Sequence, residues 1–171
     1  MLYRQAGQWK PAVGFRPVLI EAIKIVTAFT KAHSITLSLA TLGMISLPSR
    51  WVESAIAASV ILAAANNLYP LISWKLWLVA FGFGLIHGLG FANVLKDFGL
   101  PQNMLLLTLL AFNLGVELGQ LSIVSGFLPV AYWLRRTQCY RKVIFTLGSV
   151  LIAILAFIWL LERSLNLSLI N

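Results

Sequence analysis

Long apolar runs dominate this chain, and the connections between them are as short as LPSRW, YPLISWK, KDFGLPQN and RRTQCYRK. A helix that crosses the hydrocarbon core of a bilayer needs roughly 20 mostly apolar residues. Runs of that order lie at about 52–68, 76–95, 104–134 and 143–161. Another lies within 17–47, which is too long for one perpendicular crossing. Its start, VLIEAIKIV, carries Glu21 and Lys24 one turn apart. That part is placed at the interface and the crossing at about 25–46, ended by Pro48. The 104–134 run is long enough to tilt or to project into the cytoplasm.

Backbone groups in lipid must be satisfied within the segment, so these runs are predicted to be helices. The polar–apolar alternation of a membrane β-barrel is absent. The expected fold class is all-α: a polytopic transmembrane bundle of about five spans, forming one integral membrane domain over residues 1–171. Composition supports this, with 60% of residues hydrophobic, 11% charged and a mean hydropathy of +0.89. A soluble domain is nearer half apolar and about a quarter charged. The single cysteine, Cys139, excludes an intrachain disulfide and a multi-cysteine metal site. The stretch MLYRQAGQWKPAVGFRP lacks the compact apolar core of a cleaved signal peptide and is too polar to insert.

A net charge of +8 would suit nucleic acid, but the basic residues cluster at segment ends, which fits membrane topology instead. With the N-terminus inside, the inner side holds Arg4, Lys10, Arg16, Lys75, Arg135, Arg136, Arg141 and Lys142. The outer side holds Arg50, Lys96 and Arg163, so N-in/C-out is predicted. Trp51, Trp74, Trp77, Trp133 and Trp159 fall near span ends, as an aromatic belt requires.

Three ionisable residues break the apolar runs: His33, His87 and Glu117. Such groups at bilayer depth are costly and face a partner, a cavity or an ion pathway. At 1.5 Å per residue, His33 lies roughly 12 Å from the inner end of its span. His87 and Glu117 also fall near the midplane. Two imidazoles and a carboxylate are a plausible ligand set for a divalent transition metal. Each group read alone fits a local hydrogen bond; their matched depth favours a shared site.

Asn113, Glu117 and Gln120 recur at i, i+4 and i+7 on one helix face, suited either to interhelical hydrogen bonds or to supporting Glu117. Gly115 and Gly119 mark the other side, so this span is expected to be buried on two sides. Gly84 and Gly88 form a second small-residue pair close to His87. Thr30, Ser34 and Thr36 surround His33, with hydroxyls expected to bond their own helix carbonyls. Lys31 is expected to snorkel, and Glu53 to act as a helix N-terminal charge. Asn66 and Asn67 either cap the second span or line a cytoplasmic exit. Phosphate-binding glycine loops, nucleophile elbows and paired histidines on one helix are all missing.

The runs TAFTKAHSITLSLATLG, VESAIAASV, FGFGLIHGLGFA and FNLGVELGQ, in this order over about residues 25–125, resemble the HupE/UreJ family. These are multi-pass membrane proteins, nickel permeases linked to hydrogenase and urease maturation. The resemblance implies an all-helical integral protein carrying nickel or a related divalent cation. It places His33 in an AHS motif, His87 in HGLGFA and Glu117 in NLGVE. Family members usually carry an earlier helix with a His-x-x-x-Gly-x-Asp-His type motif, whereas MLYRQAGQWKPAVGF holds neither His nor Asp.

The function expected is passage or binding of a divalent transition metal at His33, His87 and Glu117, with nickel first and cobalt, copper or zinc as alternatives. Asn113, Gln120, Thr30, Ser34, Thr36 and Asn67 are the supporting polar residues. The ion would shed water onto the imidazoles and the carboxylate and leave toward the basic inner side. Protons compete for the same ligands, so binding should weaken in acid. The rivals are a non-transporting accessory subunit for metalloenzyme maturation, and a membrane metalloenzyme using the same residues. The location expected is the plasma (inner) membrane, with the bilayer, a homo-oligomer or a maturation system as partners and no nucleic acid.

Overall fold

The computed structural model describes residues 2–5, 8–11, 14–69, 71–72, 75–97 and 104–166. A short antiparallel hairpin, β1 (Leu2–Gln5) and β2 (Gln8–Pro11), precedes five α-helices. These are α1 (Phe15–Thr41), α2 (Ser49–Leu68), α3 (Leu76–Asp97), α4 (Leu105–Leu134) and α5 (Gly148–Leu165). A π-helical segment, Tyr140–Leu147, leads directly into α5. The fold is an all-α bundle.

Two boundaries differ from the sequence reading. Helix α1 starts at Phe15, so the interfacial stretch with Glu21 and Lys24 is continuous with the deeper part. It ends at Thr41, well before Pro48. Gly43 takes φ +76°, and its amide donates to Ala40 while that of Met44 donates to Leu39. This pair of bonds satisfies the last carbonyls, and a residue with a side chain is strained at that φ. Pro48 instead caps the start of α2. The other surprise is the π segment, where an α-helix was expected. The Thr146 hydroxyl donates to the Arg141 carbonyl (2.8 Å), five residues back.

The main packing runs α4–α1–α3–α2–α5, so most neighbours in space are not neighbours in sequence. The registers give the directions. Gly84 meets Phe29 and Ala32, and Gly88 meets His33 and Leu37, so α1 and α3 are parallel. Thr30 pairs with Gln120 and His33 with Asn113, so α1 and α4 are antiparallel. Arg50 reaches the carbonyls of Arg163 and Ser164, while Asn67 reaches Ser149, so α2 and α5 are antiparallel. Helices alternating in direction along the sequence fit a chain that passes back and forth.

Glycine makes the α1–α3 seam. A Cβ at Gly84 would lie 2.9 Å from that of Ala32 and would press on the Phe29 carbonyl; one at Gly88 would press on the His33 carbonyl. Only a residue without Cβ lets the backbones approach this closely. By contrast, Gly115 and Gly119 are exposed, with nothing within 4 Å of an added Cβ. The expectation that the fourth span is buried on two sides is therefore corrected. Its polar face meets α1, while among the described residues its glycine face has no helix packed against it.

Among the described residues, three helical stretches are long and apolar enough to cross a membrane: Ser49–Leu68, Leu105–Leu134 and Tyr140–Leu165. Leu76–Ala92 is a shorter apolar helix. Helix α1 is not among them, because Lys24, Lys31, His33 and its hydroxyls dilute it. It nonetheless buries Val26, Thr30, Ala32, His33, Thr36, Leu37 and Ala40. Exposed leucines, isoleucines and phenylalanines on α4 and α5 are what a lipid-facing surface needs. Among the belt residues, Trp51 and Trp133 are exposed, Trp77 and Trp159 are half-buried, and Trp74 lies outside the described residues. So does most of the connection KDFGLPQN, residues 98–103.

Candidate functional site: two histidines with committed rings

His33 is 1% exposed, at the junction of α1, α3 and α4. Asn113 explains its orientation. The Asn113 Nδ2 donates to the Leu109 carbonyl (2.9 Å), which turns its Oδ1 toward His33 Nδ1 (3.3 Å). An amide oxygen only accepts, so Nδ1 of the neutral ring carries the hydrogen and Nε2 keeps its lone pair. That Nε2 is buried with no hydrogen-bond partner among the described residues. Leaving a buried polar atom unpaired costs about 1–3 kcal/mol. Three aromatic rings form its surroundings. Phe29 and Phe112 stack on the imidazole at 6.1 Å, and Phe91 approaches edge-on at 5.6 Å.

His87 is half-buried on α3. Its Nδ1 donates to the Phe83 carbonyl at 2.8 Å, which again leaves Nε2 with the lone pair. His87 lines a cavity of about 240 Å³ whose other polar lining residues are Ser59 and Asn67. The Phe29 ring closes one side, with its centroid 5.2 Å from the His87 ring. Phe29 thus touches both imidazoles.

The supporting polar residues fall into two groups. Thr30 donates to Gln120 Oε1 (3.3 Å), so Asn113 and Gln120 both reach α1 across the interface. Glu117 lies between them in sequence and is half-buried, but it joins neither the Lys24–Glu21 nor the Arg163–Glu53 ion pair. Ser34 donates to the Thr30 carbonyl (2.7 Å) and Thr36 to those of Ala32 (3.3 Å) and His33 (3.4 Å), as expected of helix hydroxyls. Asn66 Oδ1 accepts from the Ile72 amide (2.8 Å) beyond the helix end, and Asn67 bonds the Ser149 hydroxyl (3.3 Å). Glu53 has a larger role than a helix-end charge, since it pairs with Arg163 of α5 at 2.7 Å. Lys31 is exposed.

Among the described residues, no group of three or more His, Cys, Asp or Glu side chains is gathered to hold a metal ion. What the geometry offers is two imidazoles, each with Nδ1 fixed by a carbonyl-type oxygen. Fixing the far nitrogen of a histidine is how proteins orient metal ligands. The aromatic shell was missed from sequence, although a signal was present. Phenylalanine stands four residues before each histidine, at Phe29 and Phe83, and four after His87, at Phe91.

No curated protein and no solved structure matches this chain. The family described as HupE / UreJ protein matches residues 11–163, which spans all five helices up to the last residues of α5. Its members are permease-like or accessory proteins rather than enzymes. The AHS, HGLGFA and NLGVE runs all fall inside the match, and this membrane protein belongs to the HupE/UreJ family.

Proposed function

We propose that the chain binds a divalent transition metal ion as cargo, nickel in the first place, and passes it across the inner membrane. The observation that carries this reading is the paired tautomer. His33 and His87 both commit Nδ1 to a fixed oxygen and hold Nε2 as a free lone pair. Imidazole nitrogens of this kind suit nickel, cobalt, copper and zinc. His87, on the cavity, is the accessible station, and His33 stands behind Phe29. With Phe29 packed against both rings, the ion visits them in succession. Glu117 supplies the negative charge on the α4 side. The orientation is N-in/C-out with five crossings, which agrees with the alternating helix directions.

Metal binding to purified protein, measured by equilibrium dialysis with nickel, tests the reading. His87→Ala should weaken binding by more than the roughly 10–100-fold typical of changes around a metal ligand. Equal binding by the wild type and the His87→Ala, Glu117→Ala double variant would remove the proposal. A reporter fused to the C-terminus should be active outside only. The second reading, an accessory subunit without transport, draws on the finding that no three-ligand cluster is gathered among the described residues. It predicts that stability and partner binding do not respond to metal.

A further inference from the structure

A second, larger hollow is lined by neither histidine and shares Asn67 with the His87 cavity. It is a cleft of about 560 Å³ between the end of α2 and the π segment. Arg141 and Lys142 project into it from the π segment, and Gln138, Asn67 and Thr146 add polar groups. None of the residues lining it is acidic. Neither cation has an ion-pair partner among the described residues. Phe145, Val150 and Leu68 give the cleft an apolar wall. Beyond that wall, Leu147 at the end of the π segment and Leu151 and Leu155 on α5 are each about half exposed or more.

Position and chemistry narrow the occupant. The cleft opens where two membrane-crossing stretches end together, Ser49–Leu68 at its last residues and Tyr140–Leu165 at its first. In a bilayer, the ends of crossing helices lie at the depth of the lipid headgroups. Two unpaired cations repel a divalent metal ion and attract an anion. A polar, cationic floor beside an apolar wall fits an anion attached to hydrocarbon. We propose that this cleft binds the phosphodiester headgroup of an anionic phospholipid. Arg141 and Lys142 hold the phosphate, Gln138 and Asn67 lie beside it, and an acyl chain follows the exposed face of α5. Basic pockets between helices at the cytoplasmic surface recognise anionic headgroups in this way. The π segment, which breaks the α-helical spacing at the cleft, is the sort of irregularity found at functional positions.

The test uses the full-length protein in detergent, titrated with a fluorescent phosphatidylglycerol and, separately, with phosphatidylcholine. Phosphatidylglycerol should bind more tightly. Arg141→Gln with Lys142→Gln should weaken it roughly 30-fold, from about a factor of five per cation. Arg141→Lys, which keeps the charge, should stay near the wild type. The charge-matched control Arg16→Gln with Lys75→Gln, at exposed basic positions outside the cleft, should have little effect. Equal binding by the wild type and the cleft double variant would overturn the site. Equal loss in the control would do so too, since the effect would then be general surface charge. Displacement of the lipid by millimolar inorganic phosphate would overturn the lipid assignment and point to a soluble phosphate.

Discussion

His33 and His87 carry the same chemistry in opposite settings. Each gives its Nδ1 hydrogen to an oxygen, at 3.3 Å from Asn113 and 2.8 Å from Phe83. His33 is then sealed among Phe29, Phe91 and Phe112, while His87 faces a cavity. The acceptors differ as well. The Phe83 carbonyl belongs to His87's own helix, so that ring is set by α3 alone. Asn113 belongs to α4, so His33 is oriented only when α1 and α4 are packed. One ring is therefore accessible and locally fixed. The other is hidden and depends on tertiary structure.

The largest effect should come from the seam that joins the two. Gly88→Leu would drive a side chain into the backbone of α1 at His33 and Leu37. Overpacking of this kind typically costs about 1–3 kcal/mol and occasionally more. Thermal unfolding in detergent should show the upper end of that range. A stability like that of the wild type would mean the seam is looser than described.

Next is the tertiary dependence of His33. Asn113→Leu removes its orienting oxygen and should weaken nickel binding roughly 10–100-fold, as loss of the group behind a metal ligand does. His87's hydrogen bond to Phe83 should survive, visible as an unchanged His87 imidazole signal by NMR. If binding is unaffected, His33 is a packing residue and the comparison reduces to one station.

Accessibility comes third. Diethyl pyrocarbonate should modify His87 about tenfold faster than His33, because reaching His33 needs local opening worth roughly 1.4 kcal/mol or more. Phe29→Ala should narrow that ratio, since Phe29 packs on both rings. Equal rates in the wild type would contradict the sealed environment.

The smallest effect belongs to the other glycine pair. Gly119→Ala meets nothing within 4 Å and should raise stability by about 0.5–1 kcal/mol, the helix-forming advantage of alanine over glycine. It is the matched control for Gly88: the same residue in the same spacing, with no neighbouring backbone.

This contrast also shows what the sequence could say. The i, i+4, i+7 face of Asn113, Glu117 and Gln120 was legible because helical geometry fixes it, and its two outer members reach α1 as that geometry requires. The closeness suggested by Gly84 and Gly88 was legible too. Gly115 and Gly119 carry the same signal and have no neighbouring helix among the described residues, because spacing identifies a face able to pack and says nothing of a partner. The Glu53–Arg163 pair joins residues far apart in the chain, which local periodicity does not reach. The clustering of Phe29, Phe91 and Phe112 on His33 was hidden because phenylalanine in an apolar run looks like lipid-facing filler. The π segment has no residue signature of its own beyond Thr146 placed five after Arg141.

The interleaved order of the helices bears on biosynthesis. Helix α1 is too dilute in apolar residues to count among the stretches able to cross by themselves, and its closest companion, α3, is synthesised after α2. A ribosome feeding this chain into a membrane therefore makes α1 before α2 and supplies its main cover, α3, only after both. During that interval His33, Thr30 and Thr36 have no helix across from them. The close contact at Gly84 and Gly88 can form only once α3 has been made.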